Sequence, residues 1–273
     1  SFLTFSLIFG IFEFIRGSIF TGFPWNLIAF SFSSQPEILG INSIIGTYGF
    51  NLFCISLFIS PALLLLRDTK KDIGICVFFL IIIISFFFYG YSYKEKFNET
   101  AKNNLDYNIR VVGSNISLDR FYKNIDPASI IEDLIEISNP ETNKKTIFIW
   151  PEGILSNILQ DDLIQYDWLF NKKFDENHLL IIGTNSQSEI SGLKKYYNTI
   201  SVYDNKLNLL HFYNKINLVP FGEFLPFENI LRSFGLRSLT NNYQSFSKGD
   251  KRNIIEINQQ NFRLKILPLI CYE

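Results

Sequence analysis

Three residues have types and positions that suit acyl transfer. Glu152 follows the apolar run 146–150 and sits in Pro151-Glu152-Gly153, where a buried strand gives way to a turn. A carboxylate partly withdrawn from water at a strand end suits a general base; the same acid also serves as a plain turn or helix-start residue. Lys215 lies in 213–226, an apolar stretch stiffened by Pro220 and Pro226. An ammonium held there can stabilise a developing oxyanion, or it can simply face solvent. Cys271 ends the apolar run 266–270. Such a cysteine packs as a small core residue, or, beside a base and a cation, it ionises and attacks a carbonyl carbon. Glu152 and Lys215 would supply one of each.

These side chains need elements to aim them. A strand is expected at 108–114 and a helix at 127–138, where apolar residues fall at 130, 131, 134, 135 and 137. A strand over 146–150 delivers Glu152. A helix is expected over 161–176 and a strand over 179–184, closed by Gly183. Segments 198–203 and 207–212 alternate across Asp204-Asn205-Lys206 as a hairpin, and 254–257 with 262–267 forms another that leads to Cys271. Strands alternating with helices predict an α/β domain.

The first third of the chain reads differently. The 273 residues carry 25 basic and 26 acidic side chains, yet only eight of these charges precede residue 94. The run 73–93 is uncharged and meets the roughly 20 apolar residues that a helix needs to cross a bilayer. Residues 38–66 are also uncharged, with Pro61 placed to kink them, and 1–15 resembles the tail of a third span. Arg67, Lys70 and Lys71 lie between the last two spans, against Arg16 alone in the preceding loop. The excess of basic residues puts the short loop in the cytoplasm and everything after 93 on the outer face. Glu13 and Arg16 can pair three residues apart on a helix, while Cys54 and Cys76 read as packed apolar residues. A net charge of −1 excludes a basic nucleic-acid surface, and two His with three Cys suit neither most zinc sites nor a disulfide framework. With no Met and Ser at position 1, the chain reads as a fragment that is expected to be inactive alone.

Glu152, Lys215 and Cys271 follow one another at spacings of 63 and 56 residues, each at or just after a strand. This order resembles the nitrilase superfamily. The upstream spans narrow the resemblance to the apolipoprotein N-acyltransferase family, as do Glu13-Phe14-Ile15-Arg16-Gly17, the stretch Phe20-Thr21-Gly22-Phe23-Pro24-Trp25-Asn26, and 218–226 (LVPFGEFLP). The resemblance implies a helical transmembrane region over 1–96, with about three spans visible. An incomplete nitrilase-like α-β-β-α sandwich would follow over 97–273. It implies a multi-pass protein of the bacterial inner membrane with its catalytic domain on the periplasmic face. It further implies a Glu152-Lys215-Cys271 triad that moves an acyl chain from a membrane phospholipid to a diacylglyceryl-modified apolipoprotein through a Cys271 thioester, with no metal or soluble cofactor. By the same resemblance Glu223 supports Lys215, Tyr272 and Glu273 shape the pocket, and Trp25 lies at the outer membrane surface, lining a lipid portal or anchoring at the interface. The aromatic residues of 221–227 and 234–246 would permit an apolar mouth. Two alternatives stay open: a membrane-tethered nitrilase-type amidase that passes the acyl group to water, and a non-catalytic protein that binds lipids or lipoproteins.

Overall fold

The uncharged runs of the first hundred residues form helices. The computed structural model describes residues 2–22, 24–65, 70–100, 105–113, 126–190, 192–233, 245–259 and 261–273, and the chain divides into two units, Ser1–Asn104 and Leu105–Glu273. The first unit comprises α1 (Phe2–Ser18), 3-10 turns at Ile19–Thr21 and Ile28–Phe32, α2 (Pro36–Leu39), α3 (Asn42–Ile59), α4 (Ala62–Leu65) and α5 (Lys70–Thr100). Two stretches, Asn42–Leu65 and Lys71–Glu99, are long and apolar enough to cross a membrane. Against the expected third span, α1 has 17 described residues. The single stretch expected over 38–66 is divided. Ile38 belongs to α2, and α3 ends at Ile59, because Pro61 has no N–H to donate and its ring crowds the preceding turn. Of the loop used for orientation, Arg67, Asp68 and Thr69 lie outside the described residues.

Several polar groups in this unit are paired. Arg16 pairs with Glu13 at 2.9 Å and Lys94 with Glu37 at 2.6 Å. The buried Asn51 accepts the Ala29 N–H at 3.0 Å, and the buried Cys76 thiol meets the Ser60 carbonyl. Gly90 lets α5 touch α2, since a Cβ there would fall 1.6 Å from the Glu37 carbonyl oxygen.

The second unit is built on a five-stranded sheet ordered β1 (Asn108–Val111), β2 (Thr146–Trp150), β3 (His178–Ile190), β4 (Leu193–Tyr203), β5 (Leu209–Asn214). The first three strands run parallel and the last two antiparallel to their neighbours. A hairpin of β6 (Ile255–Asn258) and β7 (Arg263–Ile266) forms a second sheet. On one face of the large sheet, Phe148, Trp150, Leu180, Ile182 and Tyr203 pack with Ile131 and Leu134 of α6 (Pro127–Ser138) and Phe170 of the single-turn α7 (Asp167–Phe170). On the other face, Ile147, Leu179, Val202 and Tyr213 pack with Ile255, Ile257 and Phe262 of the hairpin. The layers are thus helix, sheet, sheet. Helix α6 is well specified: Asp126 caps the Ala128 N–H, Pro127 occupies the first turn, and Asn139 closes the helix at a left-handed φ of 42°.

Three sequence expectations change here. The helix over 161–176 is a 3-10 stretch, Gln160–Tyr166, followed by α7. Leu163, Leu169, Phe170 and Phe174 are buried all the same, so tighter turns satisfy the apolar pattern. Gly183 does not close its strand, because β3 continues to Ile190 and pairs with β4 along its length. The polar continuation was illegible as a strand, but hydroxyl pairs Thr184–Ser201 and Ser186–Thr199, each 2.8 Å, make it compatible with burial. The first strand stops at Val111, and Ser114 lies outside the described residues.

Candidate active site

Strand β2 ends at Trp150, whose indole N–H donates to Ser138 Oγ at 2.9 Å and ties the strand to α6. The next residues carry Glu152 onto the face opposite the helices. Strand β5 ends at Asn214, and Lys215 follows with its backbone N–H still on the Asn198 carbonyl at 2.8 Å. Cys271 stands in a turn beyond β7 at a left-handed φ of 57°, with its side chain exposed. A non-glycine residue in that region stores strain of about 1 kcal/mol or more and persists only where its surroundings hold it.

Glu152 and Cys271 line one cavity of about 200 Å3, together with Asn198, Gly183 and a floor of Ile149, Ile181 and Ile200. A larger cavity of about 410 Å3 beside α6, edged by Glu132, Glu136, Lys172 and Lys173, holds no nucleophile. Lys215 is 1% exposed. Its Nζ lies 3.3 Å from Glu152 Oε1, 3.1 Å from Glu223 Oε1 and 3.0 Å from Glu223 Oε2. Burial alone would lower the pKa of this ammonium, but the charges of Glu152 and Glu223, the Glu223 hydrogen bond and the Cys271 sulfur outweigh it and hold the pKa above its ordinary value. Lys215 is therefore a permanent cation at neutral pH.

Asn198 is the residue that sequence reasoning missed. Its Nδ2 donates to Glu152 Oε1 at 2.6 Å and to Glu223 Oε1 at 2.7 Å. An amide nitrogen has two hydrogens, so both are committed. Two carboxylate oxygens are thus bridged by two nitrogens, one amide and one ammonium. Glu223 also accepts the Val219 N–H at 2.8 Å, within its own loop. Nothing in a single Asn of an ordinary-looking strand signals this; only the register that sets Asn198 opposite Asn185 on the cavity face does.

Glu273 anchors the turn that carries Cys271. Its side chain is 0% exposed and faces Arg252 at 3.0 Å. The carboxylate accepts the N–H groups of Ile216, Asn217 and Ile270 at 2.9, 3.0 and 3.1 Å and the Tyr213 hydroxyl at 2.8 Å. Burial would raise its pKa, but the N–H donors of Asn217 and Ile216, the Tyr213 hydroxyl and the Ile270 N–H hold it below the ordinary carboxylate value. Glu273 thereby fastens the Cys271 turn to the segment that begins with Lys215. Tyr272 donates to the Leu218 carbonyl at 3.0 Å, and its ring centre lies 5.7 Å from Lys215 Nζ. The structure thus gathers Glu152, Lys215, Glu223, Cys271, Tyr272 and Glu273 into one neighbourhood. Trp25 belongs to the other unit, in the loop between its two 3-10 turns, 59% exposed; Phe23 of the same motif lies outside the described residues. Phe221 and Phe227 are exposed and both have positive φ, while 234–244 of the expected apolar mouth lies outside the described residues.

Comparison with known proteins follows the same division. Residues 1–60 match the family model of the apolipoprotein N-acyltransferase N-terminal domain. Apolipoprotein N-acyltransferase of Brucella melitensis biotype 1 is 28% identical over 278 residues, covering 99% of this chain and 51% of that protein. The enzyme of the same name from Rhizobium rhizogenes is 29% identical over 274 residues, covering 97% of this chain and 50% of that protein. The chain spans about half the length of the curated relatives it matches. An amidase from Nesterenkonia sp. aligns with 58% of this chain and 54% of its own at 12% identity and a TM-score of 0.32, too slight a likeness to bear on the fold. The resemblance first read from a few motifs extends along nearly the whole chain, and its relatives are N-acyltransferases.

Proposed function

We propose that this chain carries the acyl-transfer site of an apolipoprotein N-acyltransferase, with Glu152 as general base, Lys215 as oxyanion stabiliser and Cys271 as nucleophile. The observation that carries the reading is the contact of Glu152 with a buried Lys215 at 3.3 Å, on a cavity that Cys271 also lines. Glu152 accepts the thiol proton of Cys271. The sulfur attacks the carbonyl carbon of a phospholipid acyl ester, and Lys215 offsets the charge that develops on oxygen. As the intermediate collapses, the ester C–O bond breaks. The lysophospholipid leaves with the proton from Glu152, and a thioester remains. The α-amine of a diacylglyceryl-cysteine then attacks the thioester and gives a proton to Glu152; the C–S bond breaks, the amide is released, and the Cys271 sulfur takes the proton back from Glu152. One site serves both half-reactions in turn, so the kinetics are ping-pong.

Glu223 and Asn198 hold Glu152 and Lys215 in register, and Glu273 holds the nucleophile turn. Residues 1–96 form the membrane region and 97–273 the nitrilase-like domain; the helix, sheet and sheet layers are three of the four in an α-β-β-α sandwich. Both substrates are lipid-anchored, so the catalytic domain works at the outer leaflet of the inner membrane, with Trp25 at that surface. No metal or soluble cofactor takes part. The test is product analysis on the full-length protein with phospholipid and a diacylated lipopeptide. N-acylated peptide and parallel double-reciprocal plots are expected. Free fatty acid as the sole acyl product would overturn the transferase reading in favour of a hydrolase.

A further inference from the structure

The cavity contains a glycine whose missing side chain is occupied by the backbone of the general base. The parallel pairing of β2 with β3 ends at Trp150↔Ile182. The next residue, Pro151, has no N–H with which to extend the ladder, and Gly183 is the β3 residue that would have faced it. A Cβ built on Gly183 would lie 2.6 Å from the Pro151 carbonyl oxygen, 2.7 Å from Glu152 Cα and 3.0 Å from Glu152 N. Contacts under 3.0 Å to backbone atoms are not tolerated, so one chain must move. Gly183 has no positive φ and pairs regularly with Ile200 of β4. Its own backbone would accept alanine, and only the crossing segment demands glycine. A glycine inside a strand often marks such an approach by another backbone. Further along, the segment is fixed to the same strand by Asn185 Nδ2 on the Ser156 carbonyl at 3.0 Å and by the bridge Leu159↔Asn185. The crossing chain therefore has little freedom to lift away.

We infer that Gly183 is a positioning residue for the reaction: it seats the Pro151–Glu152 backbone against β3 and so sets the reach of the Glu152 carboxylate toward Cys271. The inference rests on the assignment of Glu152 as base. Any side chain at 183 displaces Glu152 Cα by about 0.7 Å or more, from 2.7 Å to the 3.4 Å at which ordinary contact begins. The contacts of Glu152 Oε1 with Asn198 at 2.6 Å and Lys215 at 3.3 Å do not survive such a shift intact. Misplacement of a catalytic group by about 1 Å can cost on the order of 10²-fold in rate.

The test compares Gly183→Ala, Glu152→Gln and Gly113→Ala with the wild type, each as the full-length protein in membranes. Gly113 is a control, because a Cβ there meets nothing within 4 Å among the described residues. Two quantities are read: the maximal rate of Cys271 acylation from phospholipid, and the donor fraction of the membrane that gives half that rate. Gly183→Ala should melt a few degrees below the wild type and acylate about 100-fold more slowly at an unchanged half-saturating donor fraction, as Glu152→Gln does with a larger loss of rate. Gly113→Ala should match the wild type in both. Wild-type acylation by Gly183→Ala, with Glu152→Gln inactive, overturns the seat and leaves the base assignment standing. Wild-type acylation by Glu152→Gln overturns the base assignment itself. If Gly183→Ala does not accumulate folded protein, the double variant with Pro151→Gly, which frees the crossing backbone, should accumulate and remain slow; wild-type acylation by that variant overturns the seat.

Discussion

The two units use the same residue types in opposite ways. In the first, leucine, isoleucine and phenylalanine project outward along α1 and α5, and the few polar side chains pair locally or are turned inward. In the second, apolar residues fill two layers on either side of a sheet, and the candidate site encloses an ammonium between two carboxylates. Exposure therefore means different things in the two units: lipid for the first, under the proposed function, and water for the second. Burial differs as well. Among the described residues of the first unit it excludes charge, whereas in the second it holds charge in a fixed geometry.

The largest effect expected is at the enclosed charge. Lys215→Met leaves the half-exposed Glu152 and the largely buried Glu223 facing each other with no ammonium between them. Loss of one oxyanion stabiliser should cut acyl transfer by about 10²–10³-fold. Loss of the cation beside the largely buried Glu223 should lower stability by about 1–3 kcal/mol, with Glu152 keeping part of its hydration. Initial rates and denaturant melts check both; a variant that is slow but fully stable would mean that the carboxylates find water.

Next is the contrast of solvents. Ile81 in α5 is 58% exposed and Leu193 at the start of β4 is 69% exposed. Ile81→Lys should impair membrane insertion by about 3 kcal/mol, while Leu193→Lys should stay within about 0.5 kcal/mol. A glycosylation-based insertion assay and thermal melts would show the difference, and equal tolerance at both positions would erase the distinction between the units.

A smaller effect is expected at Glu273. Its pKa is held down in the folded protein, so its contribution is fully present above the ordinary carboxylate value of about 4.5 and is lost as pH falls through the folded value. Glu273→Gln should cost about 2 kcal/mol at neutral pH and flatten the acid limb of a stability–pH curve below about pH 4.5. The smallest is at Asn198. Asn198→Ala removes one bridge and leaves Lys215 in place, so a rate loss of about tenfold is expected, equivalent to about 1.4 kcal/mol.

The sequence exposed some of this and hid the rest for physical reasons. Strand β2 and helix α6 are legible because an apolar run ends in Pro-Glu-Gly and because Asp126 and Pro127 open an amphipathic turn. Glu152 and Cys271 stand out because each follows a run of apolar residues, and Lys215 because it is a lone cation in an apolar, proline-stiffened stretch. The polar half of β3 does not, since its burial depends on hydroxyl partners 13–17 residues away. Asn198 and Gly183 act through register and through a crossing backbone, both of which exist only once β2, β3 and β4 are side by side. Glu273 is visible as an acid after the nucleophile, but its five contacts come from Tyr213, Ile216, Asn217, Arg252 and Ile270, which no local pattern links.

The most direct measurement is peptide mass spectrometry of Cys271 after the full-length protein is incubated in phospholipid membranes. The account predicts an acyl adduct on Cys271 that neutral hydroxylamine removes, that Cys271→Ala lacks, and that a diacylated lipopeptide chases into N-acylated product. A folded protein that never acquires the adduct, or that performs the transfer with Cys271→Ala, would contradict it.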